Sequence, residues 1–341
     1  MKLYIDDHSQ MQAVYQSYIL EDIMVGKLTP NDIATASTVA AIMGLNPWNT
    51  PNDQLKKAID ATEGRDEDWQ GNEATGWGDR LEGVIIKTAA DRLGLTHVKT
   101  EFNEAFFHKT APLACSLDGE GRGSGFVSTI TSSNIYAANA PKIAINGPGI
   151  IESKLTSVQP EMVSPPYRGP IQLQAQMACT GHEWGVVATL YRGIELRLYV
   201  YARDPIIQEQ IIDASVEFKQ RVIDRDWYPP MSSEDANTAY SRVDDGAASI
   251  DLSVAHGAED FLEQLVVAKQ RKKDAEIMID EAEREIKEIM GSHQHAHGTA
   301  GNRMYRVAWS ERSYSEQSER IVPAKPARKV RSKTLTLKPL D

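Results

Sequence analysis

The sequence predicts a mixed α/β or α+β domain followed by a helical appendage. Three observations lead there. The composition, 41% hydrophobic and 25% charged over 341 residues, is that of an ordinary folded protein large enough to bury a core. A block of short alternating or β-branched segments occupies the middle of the chain, with helical periodicity on either side. A long polar helical pattern then follows a stretch rich in Ser, Asp, Ala and Gly.

Taken in order, residues 8–25 read as a short helix, with a turn at Gly26-Lys27-Leu28-Thr29-Pro30. Ser37–Met43 reads as helical and stops at Gly44, and Asp53–Ala61 as a second short helix. From Gly78 to Leu93 the apolar Leu81, Ile85, Ala89 and Leu93 recur every four residues, one face of a helix that ends at Gly94. Segments 97–108, 112–118, 149–155, 184–191 and 195–202 read as strands. Ile171–Thr180 and Asp204–Arg225 read as helices, the second with Asp204 as N-cap and Pro205 at its first position. The Gly/Ser/Asn-rich stretch from Gly119 to Asn146 reads as an inserted hairpin or loop.

A domain over 1–230 thus ends near Trp227-Tyr228-Pro229-Pro230, and 231–257 reads as a linker. Residues 258–341 form the appendage. Its helix, Glu259–Met290, spaces Leu265, Ala268, Lys272, Ala275, Ile279, Ala282, Ile286 and Ile289 with the coiled-coil period. Three alanines and a lysine make a poor zipper seam, which favours packing on its own domain or on a neighbouring subunit. Segments 303–309 and 333–338 resemble strands flanking a basic, Pro-containing turn.

Charge is unevenly spread. The chain is −11 overall, yet residues 301–341 hold ten Lys/Arg against four Asp/Glu, leaving 27 against 44 in the first 300. An acidic body does not exclude nucleic acid, because metal-binding carboxylates and a local basic groove coexist in DNA enzymes. No apolar run has the roughly 18 residues of a membrane span. With no signal-peptide pattern at the N-terminus, and only Cys115 and Cys179, a reducing cytoplasmic setting is expected.

The segment with most chemistry is Gly147-Pro-Gly-Ile-Ile-Glu-Ser-Lys-Leu-Thr156. Glu-x-Lys occurs three times, at Glu152/Lys154, Glu217/Lys219 and Glu285/Lys287. Only the first falls in a predicted strand, where residues two apart share a face. In the helical pairs the side chains diverge. A second acid, Asp118, ends the preceding predicted strand. Two carboxylates on neighbouring strands make a hard-oxygen site suited to Mg²⁺ or Mn²⁺, with a lysine beside it for a phosphate or a water.

Asp118 followed by Glu152-Ser153-Lys154 resembles the PD-(D/E)xK nuclease signature, with Leu117 where proline is usual. Trp77-Gly-Asp-Arg-Leu-Glu82, Gln172-Leu-Gln-Ala-Gln-Met-Ala-Cys-Thr-Gly181 and Ala36-Ser37 through Trp48 resemble, in the right order, the flanking motifs of the YqaJ-type viral recombinase and phage lambda exonuclease family. The likeness spans about residues 30–225. It implies a restriction-endonuclease-like core with a mixed central sheet, extended here by the long helix and basic hairpin. It also implies a metal-dependent deoxyribonuclease that resects duplex DNA ends, 5′ to 3′, for a single-strand annealing protein in a phage-infected host. A ring-like homo-oligomer is implied as well.

Residue by residue, the resemblance makes Asp118, Glu152 and the Ser153 carbonyl metal ligands. Lys154 would orient or deprotonate the attacking water. Glu82 would approach a second metal or its waters, and Gln172 would hold water or phosphate. Ser37 matches a serine near a terminal 5′-phosphate, and Lys27 is the base nearest the position of a family arginine. Arg328, Lys329 and Arg331 would grip DNA backbone.

Two rival readings remain: a nuclease acting on single-stranded ends or internally, and an inactive DNA-binding protein of the same fold. Two cysteines are too few for the family's four-cysteine iron–sulphur branch. His293, His295 and His297 read as a helix-terminal loop in preference to a metal site. Trp48 and Trp77 read as core or rim packing, and both cysteines as small buried residues.

Overall fold

The computed structural model describes residues 29–65, 72–241 and 250–310. The chain divides into two units, Met1–Ser241 and Arg242–Asp341. The helix expected over 8–25, Lys27, the strand expected over 333–338 and Arg328, Lys329 and Arg331 lie outside the described residues.

The first unit opens with β1 (Ala34–Thr35) and the short helix α1 (Val39–Ile42), all of whose residues are buried. Helix α2 (Pro51–Thr62) starts with a capping box between Thr50 and Asp53. Helix α3 (Glu73–Leu93) begins five residues earlier than the periodicity implies, because Asn72 and Thr75 cap it reciprocally. Its Ile85, Ile86, Ala89 and Ala90 are buried, with Leu81 and Leu93 packed beside them, so the face read from the sequence is the face used.

The strands follow: β2 (Thr96–Lys99), β3 (Phe106–Phe107), β4 (Leu113–Cys115), β5 (Gly119–Gly123), β6 (Phe126–Ser128), β7 (Ile135–Ala137), β8 (Lys142–Ala144) and β9 (Gly147–Thr156). Helix α4 (Pro170–Thr180) leads to β10 (Trp184–Tyr191) and β11 (Glu195–Ala202). Helix α5 (Pro205–Asp224) has the expected cap, with Asp204 accepting from the Ile206 and Ile207 N–H groups at 3.1 and 3.2 Å.

Six strands form a mixed sheet in the order β2-β5-β9-β10-β11-β7. Strands β9 and β10 run parallel, joined by α4 as crossover, while β5 runs antiparallel to β9 and β11 antiparallel to β10, with the edge strand β7 parallel to β11. A three-stranded sheet, β1-β4-β3, stands apart from it. Helix α3 covers one face of the large sheet, packing on Ile151, Trp184, Val186 and Ala188. On the other face, residues of α1, α2, α4 and α5 gather around Ile150, Val187, Tyr191 and Tyr199. Burial on both faces is why β9 reads as a continuous apolar run before Glu152.

Four sequence expectations need correction. The segment 97–108 is two strands in two different sheets, β2 and β3, since Glu101–Ala105 interrupts it. The stretch 119–146 holds an antiparallel pair, β6 with β8, as a hairpin would, but it is also built into the main sheet. Its first strand, β5, is the antiparallel neighbour of β9, and β7 forms an edge of the main sheet beside β11. Small residues hid β5, because Gly119 and Gly121 face Ile86 and Leu95, where no Cβ fits without displacement. The linker composition of 231–257 conceals helix α6 (Ser233–Ala239), which is tied to α2. Buried Asp235 accepts from Thr50 Oγ1 at 2.7 Å, Asn52 Nδ2 at 3.2 Å and the Met231 N–H at 2.7 Å.

The fourth correction concerns the second unit. Helix α7 (Ala258–Met290) is the long helix expected there. It is followed by the antiparallel hairpin β12 (His295–Ala300) and β13 (Arg303–Ala308). The 303–309 strand therefore pairs with the histidine segment, and His295 and His297 are strand residues in place of a loop.

Trp184 lies flat on the sheet because Gly149 leaves it room: a Cβ at Gly149 would overlap the indole ring. Gly149→Ala should therefore cost about 2–3 kcal/mol through overpacking. That loss lowers the Tm by on the order of 5–10 °C in a domain of this size. An unchanged melting curve would refute this account of the contact.

Candidate active site

Strand β9 carries Glu152 and Lys154 on the face covered by α4. Helix α4 presents Gln172 and Gln176, four residues apart and hence on one side of the helix. Four helical residues rise about 6 Å and two strand residues about 6.6 Å, so the two pairs match in spacing. Lys154 Nζ donates to Gln172 Oε1 at 2.9 Å and to Glu152 Oε1 at 2.5 Å, while Gln176 Nε2 donates to Glu152 Oε2 at 2.6 Å. The other Glu-x-Lys pairs lie in helices α5 and α7, as the spacing rule requires.

Asp118 reaches the same place from the turn that leads into β5. Strand β4 stops at Cys115, and Asp118 sits in the junction between β4 and β5, just outside both. Gly119 pairs with Ile151, so Asp118 stands level with Glu152. Its Oδ2 accepts the Ser153 N–H at 2.9 Å, which aims the carboxylate toward β9. Ser153 itself is paired with Ala188 of β10.

The charges are unbalanced. Burial, and then the Glu152 charge, pushes the Asp118 carboxyl up to about 8. Burial raises Glu82 as well, with Glu152 and Asp79 adding to it and Lys154 opposing, so Glu82 on α3 lies in the field of the same cluster. For Lys154, burial works against the ammonium, but Glu152, Asp118 and Glu82 outweigh it and hold the group above the ordinary lysine range. Three acids therefore face one cation. A hard oxygen-rich set with excess negative charge suits a divalent cation such as Mg²⁺ or Mn²⁺. Among the described residues, no three His, Cys, Asp or Glu side chains close around a common point. The direct protein donors on offer are thus the Asp118 and Glu152 carboxylates with backbone carbonyl oxygen.

Other sequence candidates fall outside this hydrogen-bonded group. Ser37 is exposed at the turn between β1 and α1, its hydroxyl 3.0 Å from Thr35 Oγ1. Trp48, 70% exposed, stands on the surface with its ring edge-on to Tyr167, and Arg80 lies over the partly exposed Trp77, so neither tryptophan is core. Cys115 is buried, and its hydrogen bond with Cys179 and its burial push the thiol far up, which makes it a poor nucleophile. Sequence patterns give no separate role to Gln176 or Gln174. Gln174 is structural, donating to the Ala202 carbonyl at 2.9 Å and accepting the Asp204 N–H at 3.0 Å. The i, i+4 relation of Gln172 and Gln176 is the one signal that points to the former.

A raised Asp118 pKa means that the folded state binds a proton the unfolded chain has lost between about pH 4 and pH 8. Stability from this group is full below the unfolded pKa and is lost as pH rises toward 8. In EDTA, Asp118→Asn should therefore raise the Tm at pH 8 by about 3–5 °C. Below pH 4 it should leave the Tm nearly unchanged. Equal Tm values at pH 8 would contradict the excess negative charge.

Residues 28–183 match the model of the YqaJ-like viral recombinase domain. No curated protein matches the chain. Among solved structures, an alkaline exonuclease from Laribacter hongkongensis is 18% identical, with a TM-score of 0.42, covering 57% of this chain and 90% of its own. A phage-related exonuclease from Haemophilus somnus is 13% identical, with a TM-score of 0.37 and coverage of 57% and 96%. A putative exonuclease from Eubacterium rectale is 11% identical, with a TM-score of 0.38 and coverage of 75% and 99%. Asp118 level with Glu152-Ser153-Lys154 is the arrangement the sequence spacing predicts, and it lies within residues 28–183, the segment that matches the YqaJ-like viral recombinase domain.

Proposed function

We propose that this protein is a metal-dependent DNA exonuclease of the phage recombination type. It hydrolyses phosphodiester bonds from duplex ends, 5′ to 3′, leaving single strand for an annealing protein. The observation that carries the reading is the convergence of Asp118, Glu152 and Lys154 under the two glutamines of α4, within a recombinase-type domain.

Asp118, Glu152 and the Ser153 carbonyl would hold Mg²⁺ or Mn²⁺, with Glu82 set for a second ion or its waters. When bound, the cation supplies Lewis-acid stabilisation for charge that grows on the phosphoryl oxygens. Lys154 is held charged, so its part is to donate hydrogen bonds to a phosphate oxygen and the attacking water. Gln172 fixes the direction of that ammonium. Ser37 and Lys27 would receive the terminal phosphate, and Arg328, Lys329 and Arg331 the duplex backbone. Assembly as a ring-like homo-oligomer around the duplex belongs to the same reading.

Linear duplex with Mg²⁺ should be degraded from its ends while a closed circle survives, and EDTA should stop the reaction. End-labelled substrates read the polarity. Nicking of the circle points instead to an endonuclease, and no cutting with either metal to a binding module. Lys154→Ala should lower hydrolysis by about 100-fold or more while duplex binding, read by gel shift, stays close to wild type. Unchanged turnover in that variant would remove the site assignment.

A further inference from the structure

Gln176 is completely buried, yet it is not a packing residue in its bonding. Its Nε2 donates twice, to Glu152 Oε2 at 2.6 Å and to the Ser116 carbonyl at 3.1 Å. Its Oε1 is buried without a hydrogen-bond partner. A buried acceptor left unpaired costs about 1–3 kcal/mol. Turning the amide over offers no relief, because its oxygen would then face a carboxylate and a carbonyl. The orientation is therefore fixed in favour of the two donated bonds.

Those bonds join the two chain segments that carry the acids. Ser116 lies two residues before Asp118 in the β4–β5 junction, and Glu152 lies within β9. One amide thus spans the gap whose width sets the separation of Asp118 and Glu152. It also takes the Glu152 oxygen that Lys154 leaves, so both oxygens of that carboxylate are held and its plane is set. The amide does this without charge. A Lys or Arg in its place would hold the carboxylate equally well but cancel the field that draws a divalent cation.

Resting on the metal-dependent reading above, we infer that Gln176 is a positioning residue: it sets the Asp118–Glu152 spacing and the Glu152 carboxylate plane for the divalent ion. Mg²⁺ tolerates little departure from near-octahedral geometry, and any divalent ion shared by the two carboxylates depends on their separation, so loss of this amide reads out as weakened metal binding in a folded protein. Groups of this kind behind a metal ligand are worth about 10–100-fold in affinity.

The test uses the full chain without DNA, with Mn²⁺ binding followed by titration calorimetry or by the free-ion electron paramagnetic resonance signal. Gln176→Met keeps the volume and removes both donors, and Gln176→Leu serves if the methionine variant does not fold. The expected result is Mn²⁺ binding weaker by about tenfold or more, with a cooperative melting transition retained. DNA cleavage should fall at low Mn²⁺ and recover at saturating Mn²⁺, with the KM for DNA unchanged. A folded variant that binds Mn²⁺ within twofold of wild type overturns the inference, as does a cleavage defect that added Mn²⁺ does not relieve. Failure of the metal reading shows separately, in wild-type protein whose Mn²⁺ binding is absent or is unaltered by Glu152→Ala.

Discussion

One ammonium group faces more carboxylate than it can neutralise. Lys154 is hydrogen-bonded to Glu152 and Gln172, while Asp118 and Glu82 add negative charge to the same pocket of field. Each acid resists burial near the others, and Asp118 responds by holding its proton up to about 8. Such an arrangement lowers the stability of the folded chain, and it persists because the apolar cores on both faces of the sheet outweigh it. A site of this kind is poised for a cation, and that links the electrostatics directly to the proposed chemistry.

Geometry makes that imbalance specific. Ile150 faces one core and Ile151 the other, so β9 has no freedom to slip by a residue without carrying the Glu152 charge into the wrong layer. Helix α4 is locked at two levels. Gln172 and Gln176 hold its near face to β9, and Gln174 ties it to the end of β11 and the cap of α5. Three glutamines at alternate positions thus divide the work, because a helix turns 100° per residue: Gln172 and Gln176 share one side and Gln174 points to the other. Neutral side chains suit the task, since they orient charged groups without altering the charge the site presents.

Asp118 depends on a different kind of constraint. It belongs to no strand, and its place follows from the chain leaving a small three-stranded sheet and entering the main one within a few residues. Glycines at 119 and 121 permit the close approach of α3 and Leu95 that lets β5 lie beside β9. The acid is therefore positioned by the meeting of two sheets and one helix.

Much of this architecture is legible in local sequence patterns. The i, i+4 apolar face of α3, the Asp204-Pro205 start of α5 and the long helix α7 follow from local rules, because caps and periodicity act over a few residues. The period of two in a strand likewise singles out Glu152/Lys154 from two helical look-alikes. Strand β5, the helix within the supposed linker and the pairing of β12 with β13 are not legible in this way: their residues are small or polar, and only partners distant in sequence or unmarked by composition give them a reason to be ordered. The sequence alone determined which residue types stand at the site and on which face of β9. Only the tertiary structure decided that Asp118 comes level with Glu152 and that Gln176 grips both β9 and the β4–β5 junction. Those distances are set by non-local packing, which no local pattern encodes.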